Sequence, residues 1–201
     1  MPIQKHLKGI LFLTVYPALL LILNACSGAA YTNDLNGGFE EYSLGSENPY
    51  GWASNNFQSA NRNVIFSVDR HTAHSGNYSV SIEIPLSAPS QKKIFNWVTR
   101  IENIKEGIYE LSGWIKIKRV SVTPYIEIQF YGLEGNRMIT GYNTREMFSL
   151  TGTNNWKKVS AIFKVPVGTS KTVIKAVLES YGNNGGKVWF DDLKLAKIRD
   201  N

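Results

Sequence analysis

Cysteine is nearly absent from these 201 residues: Cys26 stands alone, so no disulfide closes within the chain and no cysteine cluster holds zinc or an iron–sulfur centre. Histidine is scarce as well. His6 lies in the extreme N-terminal segment and His71 and His74 flank a turn, with no His-x-x-x-His pair and no Gly-x-Ser-x-Gly elbow; zinc hydrolysis and triad hydrolysis therefore have no visible constellation. Charge of one sign is nowhere concentrated. Lys and Arg number 22 against 16 Asp and Glu, a formal net charge of +6, but the lysines are scattered and form no stripe, which excludes nucleic acid as a partner. Past residue 25, apolar residues never recur with a helical period.

The one long apolar run is at the start. Lys5 and Lys8 precede an uncharged stretch from Gly9 to Leu23, too short to span a bilayer and ended by Leu23-Asn24-Ala25-Cys26. This is a signal-peptide pattern. Its Leu-x-Ala-Cys ending resembles the bacterial lipobox, which implies cleavage before Cys26 and a lipid on its sulfur. The reading is residues 1–25 as a lipoprotein signal peptide, 26–35 as a small, polar lipidated tether and 36–201 as one folded domain. Without Lys5 and Lys8 the basic excess falls to about +4. The expected location is the cell membrane or outer membrane, facing periplasm or exterior.

What is abundant is β-type sequence. Short runs rich in Val, Ile, Tyr, Phe and Trp are bounded by Gly, Asn and Ser turns. Strands are expected at 63–69, 78–84, 94–101, 108–118, 124–131, 156–165, 172–181 and 187–197, with a short one fed by the turn at Asn36-Gly37-Gly38. About nine strands in one domain predict an all-β, two-sheet jelly-roll β-sandwich.

Alternation assigns the faces. Ile126, Ile128 and Phe130 form a core face, which turns Tyr125, Glu127, Gln129 and Tyr131 outward. Two tyrosines bracketing a carboxylate and an amide are unusual on an exposed strand. Tyr109, Leu111, Ile115 and Ile117 pointing inward turn Trp114 outward. Trp97 shares its parity with Phe95 and Ile101, so it belongs either to the core or to an exposed face. Trp52, Trp156 and Trp189 are assigned to packing or turn closure. In Val188-Trp189-Phe190-Asp191-Asp192-Leu193 the two carboxylates interrupt an apolar strand, and their burial requires a bulge, a cation or exposure.

Six motifs in order carry a resemblance: Asn36-Gly37-Gly38-Phe39-Glu40, Gly51-Trp52, His74-Ser75-Gly76-Asn77-Tyr78-Ser79-Val80, Gly107 to Trp114, Trp156-Lys157-Lys158-Val159 and Val188 to Leu193. Together they resemble the jelly-roll carbohydrate-binding modules of bacterial cellulases and xylanases, the family 4/9 and 22 group with a galactose-binding-like fold. The resemblance implies a non-catalytic, monomeric module that binds a polysaccharide or oligosaccharide. A pyranose has a C–H face that stacks on an aromatic ring and a rim of hydroxyls that bonds amides and charged groups; Trp97, Trp114, Tyr125, Glu127, Gln129 and Tyr131 are the candidates. Such modules usually ride on a hydrolase, and no hydrolase module is expected within these 201 residues. The alternatives are an anchored protein-interaction or cell-wall adhesion domain, and a glycoside hydrolase or lyase accessory protein. Glu127 with Glu110 or Glu179 would have to supply paired carboxylates for hydrolysis, although no Glu-x-Asp-x-x-Glu strand motif is present.

Closure of a jelly roll sets its first and last strands side by side. Glu40 and Asp191, with Asp192 as the alternative donor, are therefore expected to share a structural calcium. In the resembled modules the turn corresponding to Ser75-Gly76-Asn77 implies a further carbonyl ligand. A one-residue slip would substitute Glu41 for Glu40.

Overall fold

A computed structural model describes residues 32–33, 35–55, 63–88, 92–133 and 137–200. The expected signal peptide, Cys26 and most of the expected tether lie outside these described residues. Among the described residues there are eleven strands: β1 (Thr32–Asn33), β2 (Ala53–Ser54), β3 (Ile65–Asp69), β4 (Ser79–Glu83), β5 (Ile94–Glu102), β6 (Ile108–Val120), β7 (Tyr125–Gly132), β8 (Met138–Asn143), β9 (Gly152–Lys164), β10 (Thr169–Glu179) and β11 (Lys187–Arg199). A single 3-10 turn, Thr144–Glu146, follows β8.

They form two antiparallel sheets. One has the order β3-β4-β11-β6-β9 with β1 also paired to β11, and the other runs β2-β5-β10-β7-β8. Ile82, Leu111, Ile115 and Phe190 of the first sheet and Phe95, Ile126, Ile128 and Ile174 of the second are buried in one shared core. The arrangement is the expected jelly-roll β-sandwich, and its cause is the strict alternation along the long strands: a sheet with one apolar face has to bury that face against another.

Two expectations about elements are corrected. The residues after Asn36 form no strand; Asn36 and Phe39 adopt left-handed backbone, with φ of 46° and 59°, and the segment is a turn whose Phe39 side chain drops into the core. This turn still lies along the last strand, since the Leu193 N–H donates to the Gly37 carbonyl at 3.0 Å. The second correction is β8, an edge strand that the sequence did not announce, because Gly141 and the polar Thr140 and Asn143 dilute its β-type content.

The pairings also define the two ends of the sandwich. Ile108 faces both Arg199 and Lys164, Lys171 faces both Glu102 and Tyr131, and Thr32 faces Ala196. One end therefore gathers the β5–β6, β7–β8 and β9–β10 turns, the end of β11 and the chain entering β1. The turns after β4 and β10 mark the opposite end.

Candidate functional site

The outward positions of the five-stranded sheet line up in rungs across β5, β10 and β7: Asn96–Val177–Tyr125, Val98–Lys175–Glu127, Arg100–Val173–Gln129 and Glu102–Lys171–Tyr131. Parity put Tyr125, Glu127, Gln129 and Tyr131 on one face, and the structure places them there, opposite the buried Ile126, Ile128 and Phe130.

The chemistry of that face differs from a bare aromatic platform. Tyr125 is only 5% exposed, because the Arg145 guanidinium lies 4.4 Å over its ring and is itself held 2.7 Å from Glu179. Burial, with Glu127 and Glu179 nearby, pushes the Tyr125 phenol up to about 12; it stays protonated, 3.4 Å from Glu179 Oε1. Tyr131 is half-buried, with the Lys171 ammonium 4.8 Å over its ring. Its hydroxyl donates to Gln129 Oε1 at 2.8 Å, and Lys175 donates to the same oxygen at 2.7 Å while lying 3.7 Å from Glu127. The expectation of an exposed Tyr125 is thereby overturned: both rings are covered by cations from β10 and the 3-10 turn, elements distant in sequence.

Beside this network Asn96 is 3% exposed, and among the described residues its Oδ1 has no hydrogen-bond partner. A buried amide oxygen left unsatisfied costs about 1–3 kcal/mol. Arg145, Lys171, Lys175, Glu179 and Asn96 were absent from the sequence-derived site. Lys175 and Glu179 were legible as the outward set of β10, the complement of Ile174, Ala176 and Leu178. Arg145 was not, because its position depends on the turn that Asn143 caps by accepting from the Arg145 N–H.

Trp97 is corrected to the core. It is 2% exposed, packs edge-on against Phe66 and donates its indole N–H to the Ser81 carbonyl of the facing sheet at 3.1 Å. Trp114 is outward as expected, but on the other sheet, where His74 stacks on it at 3.7 Å and Trp156 meets His74 edge-on. It cannot join the β7 residues in one site. Trp52, buried, donates its indole N–H to the Leu35 carbonyl at 2.8 Å, and Trp189 donates to Asp69 at 2.7 Å; both pack as expected.

The acidic corner is assembled by the turn from His74 to Tyr78. Asp191, fully buried, accepts from the backbone N–H groups of His74 (2.6 Å), Ser75 (3.2 Å) and Asp192 (2.7 Å). Asp192 sits 2.6 Å from His74 Nδ1 and accepts the Ser75 hydroxyl at 2.9 Å. Glu40 accepts the N–H groups of Asn77 and Tyr78 at 2.8 and 3.0 Å. Asp192 has φ of 50° and the β11–β6 register shifts between Asp191 and Lys194. This is the bulge that the carboxylate pair required. Among the described residues no three His, Cys, Asp or Glu side chains gather around one point as a metal would need. The donor type nevertheless fits a hard cation, and burial pushes the Asp191 carboxyl up to about 6 against the N–H bonds that oppose it, so its charge is left incompletely compensated.

No protein-family model and no curated protein sequence matches the chain. Solved structures do. The xylan-binding CBM22-2 domain from Paenibacillus barcinonensis Xyn10C aligns over 76% of this chain and 94% of its own, at 13% identity and a TM-score of 0.51. A cyclase from Fischerella sp. TAU aligns over 86% and 100%, at 13% identity and 0.54. The enzymatically active domain of tailspike protein 4 of bacteriophage CBA120 aligns over 79% of this chain at 18% identity and 0.54. The chain spans only 21% of that tailspike. At these identities the likeness concerns fold alone, and the shared fold is the jelly-roll β-sandwich.

Proposed function

We propose that the protein is a membrane-anchored saccharide-binding module, held by a lipid on Cys26, whose outer five-stranded face takes a polysaccharide chain without catalysing its cleavage. The observation that carries this reading is the row of bonding groups on that face: the Glu127 carboxylate, the Lys175 ammonium, the Gln129 amide and the Tyr131 hydroxyl in one connected network. A sugar rim of hydroxyls both donates and accepts, so it can share Glu127, Lys175 and Gln129. Tyr131, half-buried, supplies a stacking surface once Lys171 swings from its ring. Glu127 and Glu179 are each engaged by a cation, an arrangement suited to holding hydroxyls rather than to delivering a proton to a glycosidic oxygen. Xylan binding by the Paenibacillus neighbour supports a β-linked polysaccharide as the ligand class.

Glu40, Asp191 and Asp192 are the donors that a structural calcium would have to draw together, its charge then offsetting three carboxylates at one corner. A panel of insoluble β-linked polysaccharides tests the binding reading: retention of the protein on at least one of them is expected, and failure on all removes it. Cys26→Ala tests the anchor, which predicts release from the membrane fraction.

A further inference from the structure

The end of the sandwich at which the chain enters β1 is both apolar and basic. Leu133, in the β7–β8 turn, is 86% exposed and Val167, in the β9–β10 turn, 74%, with Met138 and Ile139 exposed beside them. A cavity of about 430 Å³ lies between Gly132, Leu133, Arg137, Met138 and Ile139. The turns touch: a Cβ on Gly132 would lie 3.8 Å from Ile139 Cδ1 and 3.9 Å from the Gly168 carbonyl. Exposed Lys105, Arg137, Lys164 and Arg199 surround these tips. The acids of the same end among the described residues are Glu102, Glu106 and Asp200, which is bonded to Lys197; Glu134, next to Leu133 in sequence, lies outside the described residues.

Two facts identify what covers this end. Thr32 pairs with Ala196, near the end of β11, and it follows Cys26 by six positions. At about 3.3–3.6 Å per residue the intervening chain reaches at most about 22 Å, so a lipid on Cys26 brings a bilayer to within that distance of β1. The second fact is charge: Lys and Arg outnumber Asp and Glu at this end, which complements anionic headgroups.

We propose that this end of the sandwich lies on an anionic phospholipid bilayer, with Leu133 and Val167 entering the boundary between headgroups and acyl chains and Lys105, Arg137 and Lys164 meeting lipid phosphates. The inference rests on the lipid anchor at Cys26 and adds to it an orientation. The contact holds β7 and β10 standing off the membrane, so the saccharide-binding face opens sideways. Shallow insertion of apolar tips ringed by cations is the usual balance of interfacial binding.

The test uses the full lipidated chain in vesicles of phosphatidylethanolamine and phosphatidylglycerol. With Cys26 acylated, Leu133→Cys and Val167→Cys each supply one free thiol for an environment-sensitive fluorophore, and Leu86→Cys and Tyr181→Cys, at the opposite end, serve as controls. Blue-shifted emission and quenching by spin-labelled lipid at positions 133 and 167 but not at 86 and 181 is expected, weakened by Arg137→Glu with Lys164→Glu. Flotation of the protein with all four labels in water overturns the docked orientation and leaves the anchor standing. Failure to float overturns both.

Discussion

Asp191 shows how much one buried carboxylate can decide. Its folded-state pKa of about 6 lies above the ordinary 3.8. Between those values the folded protein binds more protons than the unfolded chain, so this residue's contribution to stability falls as pH rises from about 4 to about 6. A shift of about two units is worth about 3 kcal/mol. A carboxyl NMR titration of Asp191 in chelator should give a midpoint near 6, and a midpoint at 4 or below would show the N–H donors of His74, Ser75 and Asp192 compensating it fully. Calcium, if it binds at Glu40, Asp191 and Asp192, favours the ionised form. It should therefore lower that midpoint and raise the melting temperature at neutral pH, and a melting curve indifferent to calcium and chelator would remove the ion from this corner. Trp97 makes the complementary case for packing. Trp97→Ala should cost about 3–5 kcal/mol by cavity formation, and it should leave saccharide affinity unchanged at temperatures where the variant is folded.

At the scale of elements, parity made the sandwich legible. The inward sets of β6, β7 and β10 read directly from alternation, and the Asp191-Asp192 interruption marked the bulge of β11. Trp97 stayed open because Phe95 and Ile101 share its face and either side of a strand can carry them. The cover on Tyr125 and Tyr131 was invisible because Lys171 and Arg145 reach those rings only after β10 pairs with β7 and Asn143 caps the turn after β8. The segment after Asn36 was misread as a strand for a related reason: Phe39 supplies β-type content, but Gly37 must approach β11 so closely that a Cβ there would lie 1.8 Å from the Leu193 carbonyl oxygen. Gly37→Ala should displace this turn from β11, lowering the melting temperature and loosening Trp52, whose indole is tied to Leu35. An unchanged melting temperature would mean that the turn and β11 separate at little cost.

For the whole molecule, two aromatic-bearing faces lie on opposite sides of one core. The five-stranded sheet presents Gln129, Lys175, Glu127 and Tyr131, and the other sheet presents Trp114 and Trp156 around His74. On the proposed reading sugar is bound through the first face, while the acidic corner and β1, the strand nearest Cys26 in sequence, belong to the second sheet. The direct measurement is saccharide affinity, by titration calorimetry or depletion on the retained polysaccharide, for Gln129→Ala and Trp114→Ala against the parent. Loss of the amide that links Tyr131 to Lys175 should weaken binding by about tenfold or more, about 1.4 kcal/mol, while Trp114→Ala binds like the parent. Parental affinity in Gln129→Ala together with loss in Trp114→Ala would place the saccharide on the opposite sheet and contradict the account.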